Sequence, residues 1–242
     1  MANNYFQFKQ FLIHQRYAAM KVTTDACLFG AWAASKIEHG EWGSIHKTVL
    51  DIGTGTGLLT LMLAQKNPSA LIDAVEIEVE AAKEAADNLG KSVWQDRTKV
   101  INEDILSYKS NEQYDFIITN PPFFDNDLKS DSNQRNLAMH SEALSLDDLL
   151  GSIKRLLKAD GQFAILLPTH RFIEFEKKAL AEEFHLKEKV LVKQTPKHTG
   201  FRSMLLFGFE KVVTLEKQLI IKENEAYTVD FIALLKDYYL YL

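Results

Sequence analysis

One stretch constrains this chain more than any other: the segment from Thr48 to Gly57, which runs directly into the apolar residues Leu58–Ala64. Its first half predicts a short buried strand, and the apolar run that follows it predicts a helix. Gly53, Gly55 and Gly57 lie between the two, and glycine lacks a Cβ and tolerates positive φ. Such a turn brings bare backbone close to a ligand, and the free N–H groups of the next helix point at it. The segment therefore predicts a ligand site at a strand-to-helix turn.

The pattern around these glycines departs from the fingerprint of dinucleotide-binding turns. Leu58 lies where Gly-x-Gly-x-x-Gly, counted from Gly53, requires its last glycine. Asp51 is disfavoured beside a pyrophosphate but suits a cationic or hydroxyl-bearing ligand. A purely structural tight turn is the alternative interpretation. The spacing Asp-x-Gly-x-Gly-x-Gly resembles motif I of the S-adenosylmethionine-dependent methyltransferases, and this resemblance implies that Asp51, Gly53, Gly55 and Gly57 bind S-adenosylmethionine.

Strand and helix patterns alternate along the rest of the chain. The order predicts an α/β fold with a doubly wound, mostly parallel sheet, which the resemblance implies is the Rossmann-like fold of class I methyltransferases. Apolar runs predict strands at 70–76, 99–102, 114–120 and 162–167 and closing strands at 186–192 and 203–209, and amphipathic runs predict helices at 79–89, 146–157 and 172–183.

Two domains are predicted: an N-terminal extension, residues 1–47, and a methyltransferase domain, residues 48–242. In the extension, alternation over 6–13 predicts a strand, and Thr24 or Asp25 is predicted to cap a helix that contains the apolar run 26–34. Capping alone is one interpretation of these two residues. In the other, the segment lies over the glycine-rich turn, and Thr24 and Asp25 help to bind the cofactor.

Polar side chains end several predicted strands, at the edge where doubly wound sheets bind ligands. Glu76 ends the second strand, where its carboxylate suits the two hydroxyls of a ribose. Asp104 follows the third strand and is a candidate partner for an adenine amino group. The alternatives are a solvated acid at a helix start for Glu76 and a polar turn for Asp104. Asn120 ends the fourth strand and completes the predicted cofactor site.

The segment Asn120-Pro121-Pro122-Phe123 interrupts the sheet, because two prolines cannot continue a central strand. It resembles motif IV of the methyltransferases that modify exocyclic amino or planar amide nitrogens, and this resemblance implies a catalytic role for its four residues. The lone pair of such a nitrogen is delocalised, which makes the nitrogen a poor nucleophile. The Asn120 side-chain oxygen and the Pro121 carbonyl would accept its N–H groups, and Phe123 would stack on the planar substrate.

The resemblance extends to one family. The segment Lys21–Ala26, the run Asn-Pro-Pro-Phe-Phe from Asn120 and the pattern Arg135-x-x-Ala138-x-His140 are similar to the bacterial valine tRNA (adenine-37-N6)-methyltransferases, over most of the chain from residue 6 to 239. Membership implies a cytoplasmic enzyme that transfers a methyl group from S-adenosylmethionine to N6 of adenine 37, beside the anticodon of that tRNA.

The segment from Phe124 to Leu144 is long, polar and charged, which predicts a substrate lid or a disordered insertion. The family resemblance implies that Phe123 and Phe124 bind the substrate. His140, a lone histidine in this segment, is expected to be structural or solvated rather than catalytic.

A cationic segment, Lys193–Arg202, connects the last two predicted strands and includes His198 and Phe201. Such a combination of cationic and aromatic residues is typical of segments that bind the RNA backbone and stack one aromatic side chain on a base. Lys197 and Arg202 are therefore candidate substrate-binding residues, with solvated surface as the alternative.

Composition excludes several classes of protein. The chain has 242 residues, 46% of them hydrophobic and 25% charged, which is ordinary for a globular protein. No run is long enough to span a bilayer, and no secretory signal is evident. The single cysteine, Cys27, excludes an intrachain disulfide, and no metal site is expected. A net charge of −5 argues against a nonspecific nucleic-acid coat. These features favour a cytoplasmic protein and leave the oligomeric state open.

Three alternatives remain at this point. Guanine N2 in RNA is a possible acceptor, since guanine N2-methyltransferases share Asn-Pro-Pro-Phe. A glutamine side chain in a translation protein is another, although such enzymes usually carry a separate N-terminal helical domain, for which the extension 1–47 is expected to leave no room. A non-catalytic nucleotide-binding module is the third, and it gives no use to Asn120–Phe123.

Overall fold

The computed structural model of the chain describes residues 3–18, 20–38, 47–122 and 144–242. Twelve strands and six α-helices lie in these ranges. In chain order they are β1 (Tyr5–Gln7), β2 (Leu12–His14), α1 (Thr24–Glu38), β3 (Lys47–Ile52), α2 (Leu58–Lys66), β4 (Ala70–Glu76), α3 (Val79–Gly90), β5 (Thr98–Asn102), β6 (Tyr114–Thr119), α4 (Leu146–Leu156), β7 (Leu157–Pro168), α5 (Phe172–Ala181), β8 (His185–Lys193), β9 (Gly200–Gly208), β10 (Leu215–Ile220), β11 (Lys222–Glu223), β12 (Ala226–Tyr227) and α6 (Val229–Leu235).

Eight strands form one sheet in the order β10-β8-β9-β7-β6-β3-β4-β5. β9 runs antiparallel to both β7 and β8, and every other neighbouring pair in this sheet is parallel. The central strands β3 and β6 are almost continuously buried, as parallel strands covered on both faces should be. The predicted doubly wound, mostly parallel α/β fold is confirmed.

Winding of the sheet reverses between β3 and β6. The chain proceeds from β3 outward to β4 and β5, then returns to the other side of β3 with β6 and continues to β7. Ligands of doubly wound sheets bind at this switch point, outside the carboxyl ends of the strands. We call the row of carboxyl strand ends, together with the start of the antiparallel β9, the carboxyl edge.

Helices cover both faces of the sheet, and each face has its own hydrophobic core. One core packs Phe29 of α1, Leu61 of α2 and Phe231 of α6 against the sheet. The other packs Leu149 of α4 and Phe175 of α5 against the opposite face. Burial of such side chains is the main favourable term in folding.

The segment before β3 contributes to the first core. Phe8 and Ile13, from the β1–β2 hairpin, are fully buried there, beside Phe29 and Trp32 of α1. The proposed boundary at residue 47 therefore does not separate two hydrophobic cores in the described part of the chain. It stays a prediction about domain organisation.

Several element bounds differ from the sequence predictions. The predicted strand 70–76 and helix 79–89 match β4 and α3 to within about one residue. The single strand predicted over 6–13 is instead two short strands that pair antiparallel, with Phe6 opposite Ile13. A strand after 203–209 was not predicted, yet β10 lies parallel beside β8 at the sheet edge. Most of β10 is exposed, so its side chains lack the apolar pattern that predicts a strand.

None of the helices in the described ranges is long and apolar enough to cross a bilayer.

Candidate active site

The site lies where β3 and β6 end side by side. Ile52 and Thr119, the last residues of the two strands, are register partners. The Thr119 hydroxyl donates to the Ile52 carbonyl at 3.0 Å and fixes the two ends together. Gly53 and Asn120, the next residue on each strand, therefore emerge next to one another at the switch point.

The glycine-rich turn needs its glycines for two different reasons. Gly53, Gly55 and Gly57 have φ of 70°, 56° and 80°, in the left-handed region that disfavours other residues. A Cβ on Gly53 or Gly55 would meet nothing within 4 Å, so both border open space. A Cβ on Gly57 would lie 2.5 Å from Leu89 Cδ1. Two glycines therefore leave room for a ligand, and the third lets α2 approach α3.

The turn is also tied to the neighbouring strand. The N–H groups of Gly53 and Thr54 both donate to the Val75 carbonyl, at 2.8 and 3.2 Å. Val75 precedes Glu76 at the end of β4, so the turn and the Glu76 carboxylate are held in one unit.

Asp51 is the most constrained acid of the site. Its side chain is fully buried, and Oδ2 accepts hydrogen bonds from the hydroxyls of Thr54 (2.6 Å) and Thr60 (2.8 Å). Oδ1 is buried too and has no hydrogen-bond partner within the described part of the chain. Burial, only partly offset by the threonine hydroxyls, raises the pKa of Asp51 to about 6. A buried carboxylate with an unsatisfied oxygen invites a cationic or hydrogen-bond-donating ligand.

Glu76 ends β4, as predicted, and receives hydrogen bonds from backbone. Oε2 accepts from the Gly55 N–H at 2.9 Å, and Oε1 accepts from the Glu78 N–H at 3.0 Å. A carboxylate has about four lone-pair sites, so each oxygen retains capacity for one further donor. Two hydroxyl groups on neighbouring carbons of a sugar ring would supply these two donors.

Asp104 lies in the turn after β5, half-buried. Its Oδ1 accepts from the Leu106 N–H at 2.9 Å, and its carbonyl accepts from the N–H groups of Ser107 and Tyr108. These contacts match the polar-turn alternative. They leave its proposed contact with an adenine amino group as a prediction.

Asn120 and Pro121 are half-buried and Pro122 is exposed, directly after the end of β6. This is the departure from the sheet that the two prolines predict. Phe123, Phe124 and His140 lie outside the described residues, so the predictions for them stay predictions.

Thr24 and Asp25 lie at the start of α1, but neither caps it. The Thr23 hydroxyl accepts from the Ala26 N–H at 3.4 Å, and the Thr23 carbonyl accepts from the Cys27 N–H. The predicted cap was therefore wrong by one residue. Capping depends on which residue leaves the helical conformation, and a run of three polar residues does not specify that.

Asp25 instead forms an ion pair with Arg202. Arg202 Nε lies 2.8 Å from Asp25 Oδ2, and the two side chains are 33% and 15% exposed, respectively. Arg202 is the register partner of Pro168, at the end of β7, so the pair lies at the carboxyl edge. The structure thus joins a residue predicted to bind cofactor with one predicted to bind substrate. Lys197 is exposed, in the turn between β8 and β9.

Three contributors were missed by the sequence interpretation: the Thr54 hydroxyl, which donates to Asp51 Oδ2 at 2.6 Å, and two further residues. Thr60 bonds Asp51 from the first turn of α2, and Asn102 Nδ2 donates to the carbonyls of Glu76 (2.8 Å) and Ile77 (3.1 Å). A polar residue inside the otherwise apolar run after Gly57 was the available signal for Thr60. Asn102, at a strand end, carried the same signal as Glu76.

These groups lie together outside the carboxyl ends of β3, β4 and β6, which is the position of the ligand crevice in doubly wound sheets. They offer two glycines without steric hindrance, a carboxylate with two free acceptor sites, a second carboxylate with an unsatisfied buried oxygen, and an amide at the adjoining strand end. This set of hydrogen-bond acceptors fits a nucleoside that carries a cationic amino-acid chain, with an amino-bearing methyl acceptor beside it.

Comparison with protein families agrees with this chemistry. The model of the methyltransferase small domain matches residues 37–198. A protein of Dyadobacter fermentans is 41% identical, covering 98% of both chains, and one of Bacteroides thetaiotaomicron is 38% identical, covering 100% of both. Each of these two relatives is named tRNA1(Val) (adenine(37)-N6)-methyltransferase.

Solved structures share the fold at low identity. A predicted O-methyltransferase of Agrobacterium tumefaciens superposes with a TM-score of 0.68 at 16% identity, covering 88% of this chain and 96% of its own. A putative class I S-adenosylmethionine-dependent methyltransferase of Listeria monocytogenes has a TM-score of 0.61 at 14% identity, covering 90% and 72%. Both likenesses concern the architecture of the sheet and its helices.

Proposed function

Because the chain belongs to the tRNA1(Val) (adenine(37)-N6)-methyltransferase family, we propose that it transfers a methyl group from S-adenosylmethionine to the exocyclic N6 of adenine 37 in a valine tRNA. A cytoplasmic location follows from that substrate. The predictions below treat binding of the cofactor and binding of tRNA as separable steps.

One observation carries the proposal: Asn120 and Gly53 follow register partners on adjacent parallel strands. The residue that resembles the catalytic Asn of amino-methyltransferases therefore lies beside the glycine-rich turn. A methyl donor seated on that turn and an amino acceptor at Asn120 would lie within reach of each other. Proximity of this kind is a large part of what an enzyme supplies to a two-substrate reaction.

The residues around the turn fit S-adenosylmethionine. When bound, this cofactor supplies an electrophilic methyl group on a sulfonium sulfur. The free acceptor sites of Glu76 would hold the ribose hydroxyls. The unsatisfied Oδ1 of Asp51 is proposed to take the charge of the amino group, which would favour the ionised carboxylate.

Asn120 acts on the acceptor. The lone pair of an adenine amino nitrogen is delocalised into the ring, so the nitrogen must pyramidalise as it attacks. The Asn120 side-chain oxygen and the Pro121 carbonyl would accept its two N–H groups, and these bonds would strengthen as positive charge develops. The product nitrogen loses its extra proton readily, so no strong base is needed.

We also propose residues that recognise RNA. Phe123 and Phe124 are proposed to stack on the extruded base, as aromatic side chains do with flipped bases. Lys197, exposed in the β8–β9 turn, is proposed to contact phosphate. Arg202 is proposed as a second substrate-binding residue, although its guanidinium already pairs with Asp25.

The test is methyl transfer from labelled S-adenosylmethionine to an unmodified valine tRNA transcript, followed by nucleoside analysis. We expect N6-methyladenosine, and no transfer to a matched transcript with guanine at position 37. N2-methylguanosine as the product, or label in a translation protein instead of tRNA, would replace the proposed acceptor with one of the alternatives. Absence of transfer to any tRNA would contradict the proposal.

A further inference from the structure

Glu84, on the second turn of α3, binds a stretch of backbone near the N-terminus. Its Oε1 accepts from the Arg16 N–H at 2.5 Å, and its Oε2 accepts from the N–H groups of Tyr17 and Ala18 at 3.0 and 3.1 Å. Three successive peptide N–H groups thus converge on one carboxylate that is only 6% exposed. Such a nest of N–H groups is a typical anion site of backbone, and here the anion is a side chain of the same protein.

Asn88, one turn further along α3, joins the same segment to the glycine-rich turn. Its Oδ1 accepts from the His14 N–H, and its Nδ2 donates to the carbonyls of His14 and Thr56, each at 2.9 Å. The side chain is 2% exposed and uses both donors and its acceptor. One amide therefore links residue 14 to the turn that borders the cofactor space.

The direction of α3 places this segment beside the crevice. α3 begins directly after β4, so its first turn lies at the carboxyl edge and the helix runs away from it. Glu84 precedes Asn88 by four residues and so lies about 6 Å closer to that edge. Residues 16–18 are therefore held further out than His14, level with or beyond the glycine-rich turn.

We propose that Glu84 and Asn88 are positioning residues for the cofactor: they hold residues 14–18 as a wall beside the glycine-rich turn, without touching the cofactor themselves. The proposal rests on the function given above for the site. In this arrangement the Glu84 carboxylate takes the place of solvent as the acceptor for three backbone N–H groups. Burial of that carboxylate is favourable only while the three N–H groups stay bound to it. Displacement of the backbone would leave a buried charge without partners, which keeps the wall ordered.

Glu84→Gln breaks this arrangement with little change of volume. A carboxamide has one acceptor oxygen, and its NH₂ group would face N–H donors. We expect residues 16–18 to leave the wall for much of the time. If the wall is in place in about one molecule in ten, the dissociation constant of S-adenosylmethionine rises about tenfold. The matched control is Glu80→Gln, one turn earlier on α3, where the carboxylate pairs with exposed Lys83.

The first measurement is calorimetric titration of each variant with S-adenosylmethionine. The second is limited trypsin digestion of the folded proteins, with fragments identified by mass. Cleavage after Arg16 requires release of the Tyr17 N–H that Glu84 binds. We expect this cut in Glu84→Gln but in neither Glu80→Gln nor the natural protein. Saturating cofactor should suppress it, because coupling between the wall and the cofactor is reciprocal.

An unchanged cofactor affinity in folded Glu84→Gln would overturn the proposal. So would a weaker affinity with the Arg16–Tyr17 bond still protected, since Glu84 would then act through general stability. If Glu84→Gln does not fold, Glu84→Asp decides: the shorter carboxylate keeps the charge but cannot reach all three N–H groups, and an intermediate loss of affinity is expected. None of these readouts needs tRNA. A protein that binds cofactor but methylates no tRNA would contradict the proposed function and leave this inference intact.

Discussion

The two halves of the carboxyl edge are built differently. The cofactor half, at the ends of β3, β4 and β5, holds its acids with residues of the same strand–turn–helix region. Asp51 takes hydrogen bonds from Thr54 and Thr60, and Glu76 takes them from Glu78 and from Gly55, 21 residues away. The substrate half, at the end of β6 and β7 and the start of β9, contains an ion pair whose partners, Asp25 and Arg202, are 177 residues apart.

This difference separates binding from chemistry. In the cofactor half, the acids are oriented before any ligand arrives, which lowers the cost of binding. In the substrate half, Asn120 and Pro121 are proposed to offer acceptors to the reacting nitrogen. We therefore expect substitutions in the first half to change affinity, and substitutions in the second to change turnover or RNA contacts.

The largest effect is expected at Asn120. Asn120→Ala removes the acceptor that is proposed to bind the reacting nitrogen more strongly in the transition state, so turnover should fall about 10²–10³-fold while cofactor affinity changes much less. Asn120→Asp keeps an acceptor and should retain partial activity. The measurement is single-turnover methylation of tRNA with both partners saturating. Near-normal transfer by Asn120→Ala would remove the proposed distinction between the halves.

Glu76→Ala and Asp51→Ala should show the opposite behaviour. Each removes an acceptor proposed to touch the cofactor, so affinity for S-adenosylmethionine should fall roughly ten- to a hundredfold, with less effect on turnover at saturation. Glu78→Ala is the matched control, because this carboxylate caps α3 by accepting from the Glu80 and Ala81 N–H groups. It should lower the melting temperature and leave affinity unchanged. Calorimetric titration with S-adenosylmethionine distinguishes the three variants. If all three bind the cofactor as tightly as the natural protein does, Glu76 and Asp51 have only a structural role.

The pH dependence of cofactor binding tests Asp51 alone. Its pKa in the free protein is about 6 because burial disfavours the charge, whereas a cationic amino group favours the ionised form. Cofactor binding should therefore release a proton near pH 6, and affinity should weaken as pH falls below that value, by up to about tenfold per pH unit. Titration between pH 5 and 7 measures this slope. Asp51→Asn should lose it; an identical slope in that variant would assign the titration to another group.

The smallest effect concerns the two candidate RNA contacts. Lys197→Ala should reduce the log–log salt slope of tRNA binding by roughly 0.7–0.9, as expected for one lost phosphate contact. Arg202→Ala should change the slope less, because Asp25 already neutralises the guanidinium, and it should also lower the melting temperature by leaving Asp25 unpaired. The dissociation constant of tRNA is measured at several salt concentrations. The demethylated product of the cofactor replaces S-adenosylmethionine, so that no methyl group is transferred during the measurement. Equal slopes for Lys197→Ala and the natural protein would make this segment ordinary surface.

Residues that act through their immediate neighbours in the chain could be identified from the sequence. Apolar runs predict β3, β4 and β6, because β3 and β6 are almost continuously buried, the last three residues of β4 are buried too, and composition reflects this burial. Strand ends in a parallel sheet share one edge, so the order of Asp51, Glu76 and Asn120 along the chain was enough to place them together. The family followed from the same short motifs.

Interactions across long stretches of chain could not be identified in this way. Nothing near Asp25 indicates Arg202, and nothing near residues 16–18 indicates Glu84, because their meeting depends on how α1 and α3 pack on the sheet. The exposed edge strand β10 carries no apolar pattern, and the cap at Thr23 depends on local backbone geometry. The unsatisfied oxygen of Asp51, and with it the raised pKa, arises only when the core closes around it. The residues that lie close together in the chain thus determined which ligand chemistry the site offers. Packing decided how its walls and charges are held, because burial and contacts between distant residues exist only in the folded state.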